Sequence, residues 1–266
     1  MKSSSVPEHR VIVTPDIEDY SSRNDAEQRV LQSALSVALD EAANAACLDR
    51  QSWLRQVSGD GVFAVLPRDT DIAALMDVFV RELDAALGSH NRRRADDHWT
   101  RMRLRLAVHV GPVHLDGALG LPGQHAVLPA RLRDSVPVRA ALAELPDADL
   151  AVIVSTEVYR DFITQGPGEP RPSDFRPVHV RVKKQAYDAY LYVPRYDIHD
   201  LPIPDGKGTP ESGAEERHDD PLPPATSPAA PTVGGQYIVT QRNEASGSGT
   251  AQSAGRDFYI GRERDR

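Results

Sequence analysis

Two carboxylates in the first quarter of the chain are spaced so that they could share a hard cation. Asp16 follows a β-type run, Val11-Ile12-Val13, and Asp60 lies between glycines in Ser58-Gly59-Asp60-Gly61. Those glycines supply the positive φ of a tight hairpin joining strands over 53–57 and 62–66. In a β-α-β-β arrangement the end of the first strand and the next hairpin share one edge of the sheet, so the two carboxylates converge. Such a pair suits Mg2+ or Mn2+, and two such ions can activate an attacking hydroxyl and clamp a triphosphate. Taken singly, each aspartate reads better as turn or helix-start chemistry, and it is the combination that points to a metal site.

The elements that must position this pair follow from hydrophobic period. Asn24 and Glu27 have capping-box spacing, and they open a helix with Val30, Leu31, Ala34, Leu35, Ala38 and Ala42 on one side. A second helix starts near Asp71, carries Ile72, Leu75, Met76, Phe79, Leu83 and Leu87 at helical spacing, and is expected to stop at Gly88. Strands are expected over 102–110, 150–154, 178–182 and 189–193, with one helix over 124–145. The order β-α-β-β-α-β followed by extra elements predicts an α+β fold, a ferredoxin-like sheet with helices on one face.

Composition narrows the function classes. The 266 residues carry a formal charge of -8, with 40% hydrophobic residues, which argues against a nucleic-acid binder needing a basic face. Arg92-Arg93-Arg94 is the densest basic run and reads as a solvated loop. The single cysteine, Cys47, reads as a small buried thiol. The nine histidines show no zinc-type pairing, and His109 reads as structural. Gly117, Gly120 and Gly123 read as a loop between strand and helix rather than a nucleotide fingerprint. Without a signal-like N-terminus or an apolar run of membrane length, the expectation is a cytoplasmic protein with no membrane contact.

Several landmarks together resemble the class III adenylyl and guanylyl cyclases. Asp16-Ile17-Glu18-Asp19-Tyr20 matches the family's D-[IMV]-x-x-[FY] after the first strand. Gly59-Asp60-Gly61 and the apolar strand ending at Pro67 match its G-D-G hairpin. His109-Val110-Gly111-Pro112-Val113 matches H-x-G-x-V, and Ala130-Arg131-Leu132 matches A-x-R-L on the following helix. Val154-Ser155-Thr156-Glu157-Val158-Tyr159 and Ala189-Tyr190-Leu191-Tyr192-Val193 match the late V-S-x-x-V-Y run and the closing L-Y-x-V strand. The resemblance spans roughly residues 8–196.

It implies a homodimer whose sites form between subunits, each taking a nucleoside triphosphate with Mg2+ or Mn2+. Asp16, Ile17 and Asp60 would make the metal site, Arg131 would stabilise the transition state, and Gln56 would stand at the purine-reading position. The reaction implied is attack of the ribose 3'-hydroxyl on the α-phosphate, releasing pyrophosphate. Two positions depart from the pattern. Val127 stands where the family has an asparagine donor, and Gln56 replaces the usual Lys or Glu. Pro129 also enters the helix that presents Arg131. Losing one transition-state donor costs about 100- to 1000-fold in rate. The expectation is therefore a catalytically impaired, cyclase-homology signalling protein that binds nucleotide or metal or docks a partner. The alternative is an active nucleotidyl cyclase.

Composition shifts near residue 200. Eight of the 21 prolines fall within 202–231, with an acidic stretch at 211–220, and 197–233 reads as a disordered linker. The segment 234–266 carries two short β-prone runs, Tyr237-Ile238-Val239 and Phe258-Tyr259-Ile260, around a Gly/Ser-rich middle. Its Gly-rich character resembles bacterial amyloid-type signalling motifs, which implies recruitment of a protein partner by strand stacking.

Overall fold

A computed structural model describes residues 6–94, 98–117, 120–182, 185–204 and 238–239. The chain enters through β1 (Glu8–Ile17), whose run from Val11 to Ile17 is buried on both sides and forms the middle of the sheet. Helix α1 (Asp25–Ala45) follows, then the hairpin β2 (Leu54–Ser58) and β3 (Gly61–Val65). A second helical stretch runs from α2 (Ile72–Ala74) through a π turn (Leu75–Phe79) into α3 (Val80–Arg93). After β4 (Leu104–Val113) come α4 (Gln124–Arg133), α5 (Val136–Glu144) and β5 (Leu150–Ser155). Next are α6 (Thr156–Val158), extended by a π segment (Tyr159–Ile163), and the hairpin β6 (Arg176–Val182) and β7 (Gln185–Tyr192).

The strands form one sheet in the order β6-β7-β5-β4-β1-β3-β2-β8. Here β8 is Ile238–Val239 from the tail, with Val239 opposite Gln56 and Ile238 opposite Val57. Strand β1 is antiparallel to β3 and β4, and only β4 and β5 run parallel among the paired strands. The other β-prone run of the tail, at 258–260, and the linker stretch 205–237 lie outside the described residues.

Strand alternation separates two cores. Val11, Val13, Leu106, Val108, Val152 and Val154 face α1 and α3. Ala107, Ala151, Ile153 and Leu191 face the other way, toward Leu128 and Leu132 of α4 and Val138 and Leu142 of α5. Helices therefore cover both faces, not one, because α4 and α5 pack across β4 and β5 instead of joining the first layer. A capping box from Asn24 and Glu27 starts α1.

Two helix boundaries differ from expectation. The stretch 124–145 is two helices, with Ser135 at the start of the second and Pro137 in its first turn, where a missing N–H costs nothing. Gly88 does not end α3. A Cβ there would sit 3.2 Å from Asp149 Oδ2 and 3.1 Å from Arg92 Nη1, so this glycine permits close packing inside the helix.

The stretch after β7 is tied down by arginines. Arg176 Nη1 donates to the carbonyls of Ile198 and Leu201 at 2.9 and 2.6 Å. Arg195 Nε meets the buried Asp84 Oδ2 at 2.8 Å. Among the described residues no helix is long and apolar enough to cross a membrane.

Candidate functional site

Asp16 and Asp60 meet at one edge of the sheet. Gly61 lies opposite Asp16 in the β1–β3 register, and the Ile17 amide donates to the Asp60 carbonyl at 2.9 Å. Glycine is required at position 61, since a Cβ there would come within 2.4 Å of the Pro15 carbonyl oxygen. Gln32 on α1 braces the turn by donating both to Tyr20 Oη at 2.7 Å and to the Gly59 carbonyl at 2.9 Å. The hairpin thus reaches the strand end through backbone contacts that only small residues allow.

The surroundings of Asp16 were not foreseen from the sequence. Strand register sets Arg105 of β4 directly opposite Asp16, and its Nη2 forms an ion pair with Asp16 Oδ2. From α4, Arg133 Nη1 lies 3.7 Å from the other carboxylate oxygen and donates to Thr14 Oγ1 at 3.0 Å. Arg133 also grips Asp134 with two bonds of 2.9 Å. Asp16 is only 1% exposed. Burial pushes its carboxyl above the ordinary carboxylate range, against the opposing pull of Arg133 and Arg105, and neighbouring Asp60 adds to the rise. Arg133 is held above its own ordinary value because Asp134, Asp16 and Asp60 together outweigh its burial.

A divalent cation needs several oxygen donors facing an open position. Here both oxygens of Asp16 face guanidinium groups, and Arg105 Nε is buried without a hydrogen-bond partner, so Asp16 is the nearest compensation for that charge. Among the described residues no group of three or more His, Cys, Asp or Glu side chains could hold a metal ion. The arrangement does not fit Mg2+ or Mn2+, because a built-in cation stands beside the carboxylate.

The other positions singled out by the sequence are spread over the same face. Arg131 lies on α4 but turns to β7, where its Nη1 donates to Gln185 Oε1 and to Tyr187 Oη. Within the chain it is Arg133, two residues later, that approaches Asp16. Val127 on the same helix is 44% exposed. Gln56 pairs with Phe63 across the hairpin, and its amide lies against Gly120, where a Cβ would sit 3.2 Å from Nε2.

A second polar cluster occupies the middle of this face. His109 is fully buried, with Nδ1 2.8 Å from Ser155 Oγ and Nε2 2.8 Å from His125 Nδ1. Burial pushes the His109 imidazole down to about 4, so it is neutral at pH 7. Glu157 Oε2 lies 3.7 Å from His109 Nδ1, and the nearby Ser155, its own amide and the two imidazoles hold its carboxyl below the ordinary range despite its burial. Ser155, His109 and His125 thus form one chain of hydrogen bonds. The two rings stack 5.1 Å apart, and Gly111 leaves room for them, since a Cβ would lie 2.2 Å from His125 Nδ1.

Arg105, Arg133 and His125 carried no signal in the sequence that separates them from other polar residues. Only the opposite-strand register of Arg105 and the helix face of Arg133 reveal them.

No protein-family model matches the sequence, and no curated protein matches it significantly. Solved structures do match. A bacterial light-regulated adenylyl cyclase aligns at 15% identity and a TM-score of 0.51, over 73% of this chain and 56% of that one. The adenylyl cyclase CyaB from P. aeruginosa aligns at 15% identity and 0.48, over 71% and 96% of the two chains. An adenylate/guanylate cyclase/hydrolase from Silicibacter pomeroyi aligns at 18% and 0.47, over 72% and 100%. Identity at this level speaks to fold alone. With its central β1, the β2–β3 hairpin beside it and helices on both faces, the chain has the fold of a class III nucleotidyl cyclase domain.

Proposed function

We propose that this is a cyclase-type domain that does not cyclise nucleotides and acts instead as a docking module in signalling. The observation that carries the reading is the ion pair between Arg105 and Asp16, with Arg133 closing on the second oxygen. A metal ion entering there would have to displace a guanidinium from a nearly buried carboxylate, and cation–cation repulsion opposes that. Val127 supports the same reading, since an aliphatic side chain offers no donor to a phosphate. Its exposure on α4, with that of Leu54 on β2, supports pairing of two copies through this face. The segment 234–266 would then recruit the protein partner.

The test incubates the full chain with Mn2+ and each of the four nucleoside triphosphates, and assays cyclic product and pyrophosphate. The expected outcome is no product with any of them. Turnover with even one, lost in Asp60→Ala, would overturn the reading in favour of an active cyclase.

A further inference from the structure

The face of the sheet opposite Asp16 holds a groove between α1 and α3, a cleft of about 430 Å³. The helices run antiparallel. Helix α1 begins just after the end of β1, and α3 ends just before Leu104, which pairs with Ile17 at that same end. Arg23 fixes the junction by donating from Nε to the Trp99 carbonyl at 2.7 Å. Arg29 near the start of α1 and Arg93 and Arg94 at the end of α3 therefore line one end of the groove.

These arginines differ from their neighbours. Arg10, Arg81, Arg160 and Arg171 each hold a carboxylate one to four positions away. The guanidinium groups of Arg29, Arg93 and Arg94 have no ion pair or hydrogen bond among the described residues. In a chain of net charge -8, three guanidiniums around one cleft with no ion pair among the described residues form a local anion site; Asp96 and Asp97, which follow in the sequence, lie outside those residues. Planar guanidiniums match the oxygens of a phosphate better than those of a single carboxylate.

The rest of the lining specifies what the anion is attached to. Val30, Ala34 and Val37 form an aliphatic strip, with Val37 54% exposed. From Arg29 to Val37 the strip is about 12 Å long at the rise of an α-helix. His90 also lines the groove, with its ring tied through Nε2 to the Thr100 carbonyl at 2.9 Å. Among the described residues no Phe, Tyr or Trp lines it, so a nucleobase would find no large stacking ring. Glu41 lines it as well, further along α1 from Arg29, and would repel the anion from that end.

We propose that this groove binds a free single-chain phosphate monoester, with its head on Arg29, Arg93 and Arg94 and its aliphatic chain along Val30, Ala34 and Val37. The site is independent of the chemistry at Asp16.

Calorimetric titration of the full chain tests it, using decyl phosphate below its micelle-forming concentration, inorganic phosphate, adenosine monophosphate, and vesicles containing phosphatidic acid. Decyl phosphate should bind saturably and at least about ten-fold tighter than inorganic phosphate, from burial of its chain. The double variant Arg93→Ala/Arg94→Ala should weaken decyl phosphate by about ten-fold or more. Val37→Asp, an exposed helix position whose circular dichroism should stay that of the parent, should weaken decyl phosphate and spare inorganic phosphate. Absence of saturable binding would overturn the proposal, as would unchanged affinity in the arginine double variant. So would adenosine monophosphate binding as tightly as decyl phosphate, or binding to vesicles alone, which would mark a membrane-facing patch instead.

Discussion

Arg105 and Arg133 meet a buried carboxylate on one face of the sheet, while Arg29, Arg93 and Arg94 line one end of an open groove on the other with no ion pair among the described residues, Glu41 lying further along α1. The first pair is held by strand register and by a helix laid across it, so its charges are spent inside the fold. The second set projects from helix surfaces into solvent, where a charge costs little to keep and stays available to a ligand. The same residue type is thus structural where desolvated and paired, and receptive where solvated and unpaired.

Breaking the buried cluster should have the largest effect. Asp16→Ala leaves the Arg105 guanidinium with only Asp134, 4.0 Å away, while Arg133 keeps its bonds to Asp134, and should cost about 3 kcal/mol or more in urea denaturation. Because burial already outweighs the pull of both arginines on Asp16, the double variant Asp16→Leu/Arg105→Leu should return to within about 1 kcal/mol of the parent. Equal losses in the single and double variants would show that the pair itself, not the orphaned charge, matters.

The pH dependence should come next in size, through the histidine network on the Asp16 face. His109 falls from an ordinary 6.5 to about 4 in the fold, so the unfolded chain takes up the proton first as pH drops. Its contribution is complete above pH 6.5 and is lost on descending toward 4, at about 1.4 kcal/mol per pH unit and about 3 kcal/mol in all. Denaturation curves collected between pH 7 and pH 4 should show that slope, and His109→Gln should flatten it. A slope unchanged in that variant would place the acid sensitivity elsewhere.

Arg105→Ser should expose the Asp16 carboxylate and raise Mn2+ affinity at least about ten-fold, read from the loss of the free Mn2+ electron paramagnetic resonance signal. No gain would mean that Arg133 alone excludes the ion. On the groove side, effects on stability should be small. Arg93→Ala should stay within about 0.5 kcal/mol of the parent. Asn24→Ala, which removes the capping box of the helix carrying Arg29, should cost about 1 kcal/mol. Thermal denaturation measures both.

Much of the scaffold was legible because local rules governed it. The β-type run before Asp16 and the capping box at Asn24 describe short-range geometry, and both appear in the structure. The hairpin over Asp60 forms too, but neither Gly59 nor Gly61 takes the expected positive φ, and Gly61 serves the close approach of Pro15 instead. The helix over 124–145 was misjudged because Pro137 can begin a helix as readily as it interrupts one, and periodicity does not distinguish the two. Gly88 was misjudged because its role depends on Asp149, which stands just before β5 and is far from it in the sequence.

The sequence alone determined the strand and helix periods, the hairpin that carries Asp60, and its approach to the end of β1. These depend on neighbours within a few positions, or on the short, chirally constrained connections of a β-α-β-β unit. Only the tertiary structure decided what Asp16 faces. Arg105 and Arg133 reach it through the pairing of β1 with β4 and the crossing of α4, and electrostatic energy follows distance and burial in space rather than separation along the chain.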